Sequence, residues 1–110
     1  MKIKNVPFSI TEWNKIVPVE YKGETGTSFW KTFEMGNIRV RMVEYSADYS
    51  ADHWCSRGHI LLVLEGDFVI KLKDGREFKL TSGTSFQVED EKNNPHFSYT
   101  EKGAKVFIVD

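Results

Sequence analysis

The chain has 110 residues, a length that typically forms a single domain with its own hydrophobic core. Its composition, 40% hydrophobic and 28% charged, is that of an ordinary globular protein and argues against disorder. Fifteen basic and sixteen acidic residues leave a net charge of −1, so no overall field attracts nucleic acid or anionic lipid. We therefore expect one domain, residues 1–110, with neither nucleic acid nor membrane as a partner.

Two features of the sequence indicate a location. No run approaches the roughly 18 apolar residues of a membrane span, and the N-terminus has no apolar stretch typical of a signal peptide. The only cysteine, Cys55, cannot form an internal disulfide, which is typical of a reducing compartment. We expect a cytoplasmic protein.

A short helical turn is predicted near the N-terminus. Ser9 and Glu12 have the spacing of a capping box, and Phe8 and Trp13 have the spacing of a hydrophobic staple around it. The turn cannot extend far, because Pro18 follows soon after it, and the glycine-punctuated residues 21–26 are predicted to form a loop.

From Thr27 onward, short β-prone runs alternate with turn residues, and no apolar repeat of 3.6 residues is long enough for a substantial helix. The predicted strands are Ser28–Glu34, Ile38–Tyr45, Asp52–Cys55, Ile60–Leu64, Phe68–Leu72, Glu77–Leu80, Ser85–Val88, His96–Tyr99 and Lys105–Val109. So many short strands in one small domain are typical of a sandwich or barrel, since an open sheet would leave exposed edges. The pattern favours a jelly-roll barrel.

Chemistry-bearing side chains concentrate in residues 52–59, DHWCSRGH, which hold two of the three histidines and the only cysteine. Because residues two apart on a strand face the same side, His53 and Cys55 are predicted to project together. His59 begins the following apolar strand, and His96 can join only if the fold brings distant segments together. For any one of these residues, burial in the core is the simpler interpretation. Together the four indicate a metal site.

The spacing of these residues resembles the first motif of the cupin superfamily, G-x5-H-x-H-x3,4-E-x6-G. The chain has His53-x-Cys55-x3-His59-x6-Gly66, with cysteine where the second histidine is usual and histidine where the glutamate is usual. Ala47 stands at the position of the leading glycine.

The second cupin motif, G-x5-P-x-G-x2-H-x3-N, is matched more loosely. Gly83 can begin it, Glu89 stands at the proline position, and two extra residues precede Pro95-His96. Thr100 replaces the final asparagine. When the two motifs are joined, the four metal-ligand positions are occupied by His53, Cys55, His59 and His96.

Over its whole length the sequence also resembles a group of small, uncharacterised single-domain cupins named for a DHCW motif. The order here is Asp52-His53-Trp54-Cys55. The resemblance implies an all-β fold, the double-stranded β-helix or cupin jelly-roll barrel, with a metal ion in its mouth. It does not supply a substrate.

The ligand types restrict the metal. Three imidazoles and a thiolate suit zinc, with iron, nickel and copper as alternatives, and the lack of carboxylates argues against magnesium or calcium. Four protein ligands would close the site, as in structural zinc, whereas catalysis needs an open position. Alternatively Cys55 stands beside the metal as a redox-active thiol and leaves three histidines as ligands.

Two hypotheses about function follow from these alternatives. The first is a metal-dependent enzyme of the oxygenase, isomerase or decarboxylase type, acting on a small molecule in the barrel mouth. The second is a non-enzymatic module that binds or senses a small molecule or metal and contains a structural metal ion. The fold alone does not choose between them, because one barrel supports many chemistries.

Three residues are predicted to line a substrate pocket. Arg39 and Arg41 alternate with apolar residues, and a solvent-facing pair is the simpler interpretation. Alternatively, Arg41 points into the barrel and binds an anionic substrate group through two parallel hydrogen bonds. Gln87 faces away from its apolar neighbours and is a second pocket residue. Arg57 can contact substrate at the mouth, although a solvated loop residue is the simpler interpretation.

We also expect a homodimer. Edge strands of small barrels commonly pair with another subunit, and the N-terminal segment is the best-placed exchange element.

Overall fold

The computed structural model describes residues 1–90 and 92–110 and is almost entirely β. A short 3-10 helical turn, Trp13–Lys15, precedes ten strands. These are β1 (Val19–Lys22), β2 (Thr27–Met35), β3 (Ile38–Tyr45), β4 (Tyr49–Ser50), β5 (His59–Gly66), β6 (Phe68–Leu72), β7 (Glu77–Leu80), β8 (Ser85–Val88), β9 (His96–Thr100) and β10 (Ala104–Val109). Among the described residues no helix is long and apolar enough to span a membrane.

The strands form two antiparallel sheets, as expected for a jelly-roll barrel. The larger sheet has the order β1-β2-β3-β10-β5-β8, and the smaller has the order β4-β9-β6-β7. Strands that are distant in sequence become neighbours in this topology: β10 lies between β3 and β5. The all-β jelly-roll prediction is confirmed.

The hydrophobic core is built from the inward-facing side chains of both sheets. Along β10 every second residue is buried, including Val106 and Ile108, as the two-residue period of a strand requires. They pack with Val63 of β5 and with Phe68 of β6, which is 1% exposed.

The N-terminal turn is present, but its predicted cap is wrong. The helix begins at Trp13, and Glu12 stands at its N-cap without a side-chain hydrogen bond. Phe8, the predicted staple residue, is 93% exposed. The ring of Trp13 instead lies edge-on to Phe107 of β10, with the centroids 6.3 Å apart. A tertiary contact therefore replaces the local one.

Two strand predictions were wrong. Residues 21–26 do not form only a loop, because Tyr21 and Lys22 complete β1, which pairs with β2. All four residues of β1 are exposed, so this strand has no burial alternation to detect in the sequence. Residues 52–53 form a bend rather than a strand, and of the predicted strand 52–55 the structure pairs Cys55, in an isolated bridge to His96.

Gly66, the last residue of the first cupin motif, ends β5 in a backbone conformation that favours glycine. Its φ is 78°. A Cβ placed there would lie 2.3 Å from the carbonyl oxygen of Gly103, a backbone atom that cannot rotate away. Because the backbone at Gly103 passes so close to Gly66, only a residue without a side chain fits at position 66.

We expect Gly66→Ala to destabilise the protein more than Gly83→Ala. Both glycines have positive φ, 78° and 87°, so each alanine costs about 1–2 kcal/mol from backbone conformation. Gly83 has open space around it, whereas at Gly66 the backbone must also move, which adds roughly 1–3 kcal/mol. Urea unfolding of both variants measures the difference, and equal losses would contradict the packing argument.

Candidate metal centre

Three metal-ligand side chains converge from three segments. Cys55 lies in the loop after β4 and is tied to the first residue of β9, since its N–H donates to His96 O at 2.8 Å and its carbonyl accepts from His96 N at 2.9 Å. Directly opposite residues of an antiparallel pair place their side chains on the same face. The thiol and the His96 ring are therefore neighbours, and His59, the first residue of β5, completes the group.

The ligand atoms of Cys55, His59 and His96 lie within 4.8 Å of one another. Nε2 of His59 is 2.7 Å from Nε2 of His96, and the two rings stand nearly perpendicular, at 82°. His96 is 6% exposed, while the other two side chains are partly buried. Two ring nitrogens and one sulfur are thus close enough together to form a metal-binding group.

A buried carboxylate orients His59. Asp110 continues the ladder between β10 and β3: its N–H donates to Arg39 O at 2.9 Å, and its carbonyl accepts from Arg39 N at 2.6 Å. Its side chain is 1% exposed, and Oδ2 lies 3.0 Å from Nδ1 of His59. This contact leaves Nε2 of His59 directed at His96 and Cys55, which is how a carboxylate typically orients a metal-binding imidazole.

The same carboxylate holds three arginines. Arg39 donates two hydrogen bonds to Asp110, at 2.9 and 3.1 Å, and Arg41 donates one at 2.9 Å. Nε of Arg57 is 3.6 Å from Oδ2. Burial opposes ionisation of Asp110, but the hydrogen bonds from His59 and Arg39 and the charge of Arg41 outweigh it and hold its pKa far below the usual range. Asp110 is thus an anion at the centre of a cationic cluster.

The thiol of Cys55 ionises easily. Its hydrogen bonds with His59 and then His96 lower its pKa to about 5, against the opposing effect of burial. For His59, burial lowers the pKa, but hydrogen bonds with Asp110 and Cys55 outweigh it, and the net shift is upward. The cysteine is therefore in its thiolate form at neutral pH, the form that binds metals.

This donor set fits a transition metal. Two imidazole nitrogens and a thiolate sulfur are ligands that divalent first-row ions accept, and three protein ligands leave coordination positions open. Cys55, His59 and His96 thus form a group that can hold such an ion.

His53, the fourth predicted ligand, lies outside this group. Its side chain is 73% exposed, and its Nδ1 is 2.6 Å from Oδ1 of Asp52. The alternation that would place it beside Cys55 applies to strands, and residues 52–53 form a bend. His53 is instead one of the residues that line the adjacent cavity.

The group opens into a cavity of about 150 Å³ between the sheets. Arg39 and Arg41 line it, and no aspartate or glutamate is among the described residues that do. The other lining residues are Trp30, Tyr45, Tyr49, Ala51, His53, Leu61, Phe68, Ile70, Phe86, Ser98 and Ile108. Two guanidinium groups therefore line the cavity, and their carboxylate partner Asp110 is not among the lining residues.

Arg41 is 5% exposed, so the solvent-facing interpretation was wrong for this residue. Its guanidinium carbon lies 4.4 Å from the ring centre of Trp30, a cation–π contact that fixes the plane of the group. No described residue accepts a hydrogen bond from its buried Nε.

The other two predicted pocket residues lie elsewhere. Gln87 is exposed and does not line this cavity, because on β8 it pairs with the exposed Ile60 and so faces outward, while Phe86 faces the interior. Arg57 is half exposed on the loop beside Asp110, outside the cavity wall.

Comparisons with known proteins agree with this architecture. No protein-family model matches the chain, and no curated protein matches it in sequence. Among solved structures, Fe(II)-HppE with the alternative substrate (S)-1-HPP is similar, with a TM-score of 0.74 and 19% identity over 94% of this chain and 60% of that one. The hydroxypropylphosphonic acid epoxidase from S. wedmorenis gives 0.71 and 19% over 94% and 59%.

A cupin-2 domain protein from Shewanella frigidimarina is also similar, with a TM-score of 0.58 and 17% identity over 74% of this chain and 78% of that one. The chain has the cupin fold. The chain spans about 60% of the length of HppE, and at these identities the likeness concerns the fold alone. The resemblance to the DHCW group stays a prediction.

Asp110 was missed in the sequence, although a signal existed. The alternation that buries Val106 and Ile108 continues to position 110 and places its carboxylate on the inner face. An inward-facing acid beside an apolar strand is a sign of a buried ion pair or a functional group.

We expect Asp110→Asn to weaken both the fold and the metal centre. Loss of the negative charge leaves buried Arg41 uncompensated and lowers the free energy of unfolding by about 3–5 kcal/mol. Loss of the partner of His59 lowers metal affinity about 10- to 100-fold. Urea unfolding of metal-free protein and competition with a chelator measure the two effects separately.

Asp74→Asn is the matched control. Asp74 also pairs with an arginine, Arg76, at 2.7 Å, but that pair is exposed in the turn between β6 and β7. We expect unchanged metal affinity and unchanged stability within error. An Asp110→Asn protein that behaves like this control would contradict the central role of the buried carboxylate.

Proposed function

We propose that this cupin is a metal-dependent enzyme whose substrate is a small anionic molecule bound in the cavity. One observation carries the proposal: a three-residue ligand group and two inward-facing arginines line the same small cavity. The ligand group can bind a metal ion that keeps open coordination positions. The arginines can bind a negatively charged group on a molecule that coordinates the ion at those positions.

The number of ligands favours an enzyme over a module with a structural metal. Structural zinc is usually closed by four protein ligands, whereas catalytic sites have three and an open position. This site has three protein ligands, Cys55, His59 and His96. The ring of His53 contacts the carboxylate of Asp52 instead of joining them.

A bound divalent ion would supply a Lewis acid that polarises the substrate or activates water or dioxygen. Oxygenation, isomerisation and decarboxylation are the reaction types we propose. A thiolate with two imidazoles favours zinc. Iron is the alternative, because HppE, which has a similar fold, was crystallised with Fe(II).

The chain's own residues would orient the substrate. Arg41 has an unpartnered buried Nε–H among the described residues, and we propose that this group donates to an anionic oxygen of the substrate. The Trp30 ring and the Asp110 carboxylate hold the guanidinium in place, so little entropy is lost on binding. Burial raises the pKa of Tyr45 above its ordinary value, so its phenol stays protonated and can donate as well.

The dimensions favour a small substrate. A volume of about 150 Å³ is below the roughly 300 Å³ at which pockets for drug-sized ligands begin. Leu61, Phe86 and Ile108 provide apolar walls that exclude water from the ligand group. A phosphonic acid, the compound class in the name of the S. wedmorenis epoxidase, is one kind of anion that this chemistry would accept.

We expect Cys55→Ser, His59→Ala and His96→Ala each to abolish stoichiometric metal binding, because each removes one of three ligands. His53→Ala is the matched control and should retain the metal. Elemental analysis of the purified variants, after loading with zinc or with iron under anaerobic conditions, measures the content, and X-ray absorption gives the coordination number.

Metal retained by Cys55→Ser with an unchanged absorption spectrum would remove sulfur from the proposed ligand set. Metal lost by His53→Ala, with four protein ligands in the parent, would favour the structural-metal module instead.

We expect small carboxylates and phosphonates to raise the melting temperature of the metal-loaded protein, and neutral amides of the same shape to leave it unchanged. Arg41→Lys retains the charge but loses the planar fork, so the affinity for these anions should fall roughly 10- to 100-fold. Arg76→Lys, at an exposed turn, should bind them as the parent does. Equal stabilisation by the neutral amides would contradict an anionic substrate.

A further inference from the structure

Strand β1 leaves one edge of the larger sheet open. It pairs with β2 along one side, in the register Val19↔Trp30 to Lys22↔Thr27, and no strand of the described chain pairs with the other side. Its side chains are exposed, with Val19 at 53% and Tyr21 at 47%. An exposed edge with apolar side chains is a site at which another strand readily pairs.

The hydrogen-bond pattern shows which backbone groups are free. The N–H of Gly23 donates to the carbonyl of Gly26 at 3.0 Å, which continues the β1–β2 ladder by one residue. In an antiparallel ladder, alternate residues bond to opposite sides, so Tyr21 and Val19 also bond to β2. The N–H and C=O groups of Glu20 and Lys22 therefore point to the open edge.

Charge selects one register for self-pairing. When two copies of β1 pair antiparallel about a two-fold axis, the outward-pointing groups of Glu20 and Lys22 form the hydrogen bonds, and the register decides which residue faces which. A register that places Glu20 opposite Glu20, or Lys22 opposite Lys22, brings like charges together, which is destabilising. The register centred on Tyr21 places Glu20 opposite Lys22 of the second copy and, by symmetry, Lys22 opposite its Glu20.

We propose that β1 is the interface at which two copies of this chain pair, antiparallel and centred on Tyr21. The two larger sheets then form one continuous sheet. In this register each Glu20 lies opposite Lys22 of the other copy, and the two residues exchange backbone hydrogen bonds. The same register therefore satisfies the free backbone groups of the edge and pairs opposite charges. The pairing is closed by a two-fold axis, so it ends at a dimer.

Exposed apolar side chains lie on and beside β1. Val19 and Tyr21 of the strand itself are two of the exposed large hydrophobic residues in the described part of the chain. Val17, next to the strand, is 83% exposed. Four paired residues are too few for a stable dimer without such a contribution from adjacent apolar surface.

The experiment is a charge reversal followed by sedimentation equilibrium. We expect the parent chain to be a dimer and Glu20→Lys or Lys22→Glu to raise its dissociation constant roughly ten-fold or more, since two like-charge pairs replace two opposite ones. The double variant E20K/K22E should restore the dimer. An equimolar mixture of the two single variants should form the heterodimer, because every cross-strand pair is then opposite in charge.

Both side chains are largely exposed, 56% for Glu20 and 77% for Lys22, so the variants should fold as the parent does, and circular dichroism checks this. Lys79→Glu, on the exposed β7, is the charge-matched control and should leave the dimer unchanged. A monomeric parent overturns the proposal. So does a dimer that both single reversals leave intact, because its interface is then elsewhere, for instance at another sheet edge.

Discussion

The carboxylate of Asp110 is the charge on which the site depends. It lies inside the barrel, almost fully buried, where an unpaired anion is very unfavourable. Arg39, Arg41 and His59 surround it, and its negative charge compensates theirs inside the barrel. A single acidic side chain therefore holds the imidazole of a metal ligand in one orientation and the guanidinium groups of the cavity wall in another.

The backbone provides the second constraint. Cys55 lies in a segment with little regular structure, yet two hydrogen bonds to His96 fix its position. The residues before this bridge form a bend, in which His53 turns to solvent, whereas the bridge keeps the thiol beside the imidazoles. Backbone pairing thus places the thiol beside the two rings, and a backbone that fixes ligand positions reduces the entropic cost of metal binding.

The position of Asp110 also determines which charges face the cavity. Asp110 lies behind the arginines rather than in the cavity wall, so the positive charge of the guanidinium groups faces inward while their counter-ion is covered. Under the proposed function, a divalent ion balanced only in part by the thiolate would add positive charge to this cavity and favour an anionic ligand. Its small volume and apolar walls then restrict which anions enter, so charge and size together define the proposed substrate class.

The sequence by itself determined the local structure. Alternating residues and turn signals predicted the all-β fold, and strands such as Ile38–Tyr45 and Phe68–Leu72 have their predicted bounds, because strand period and turn chemistry are properties of neighbouring residues. Tertiary structure decided the rest. That Cys55 lies opposite His96, that Asp110 reaches His59 and that Arg41 is buried depend on pairing between distant strands, and no local pattern encodes the partner of a strand.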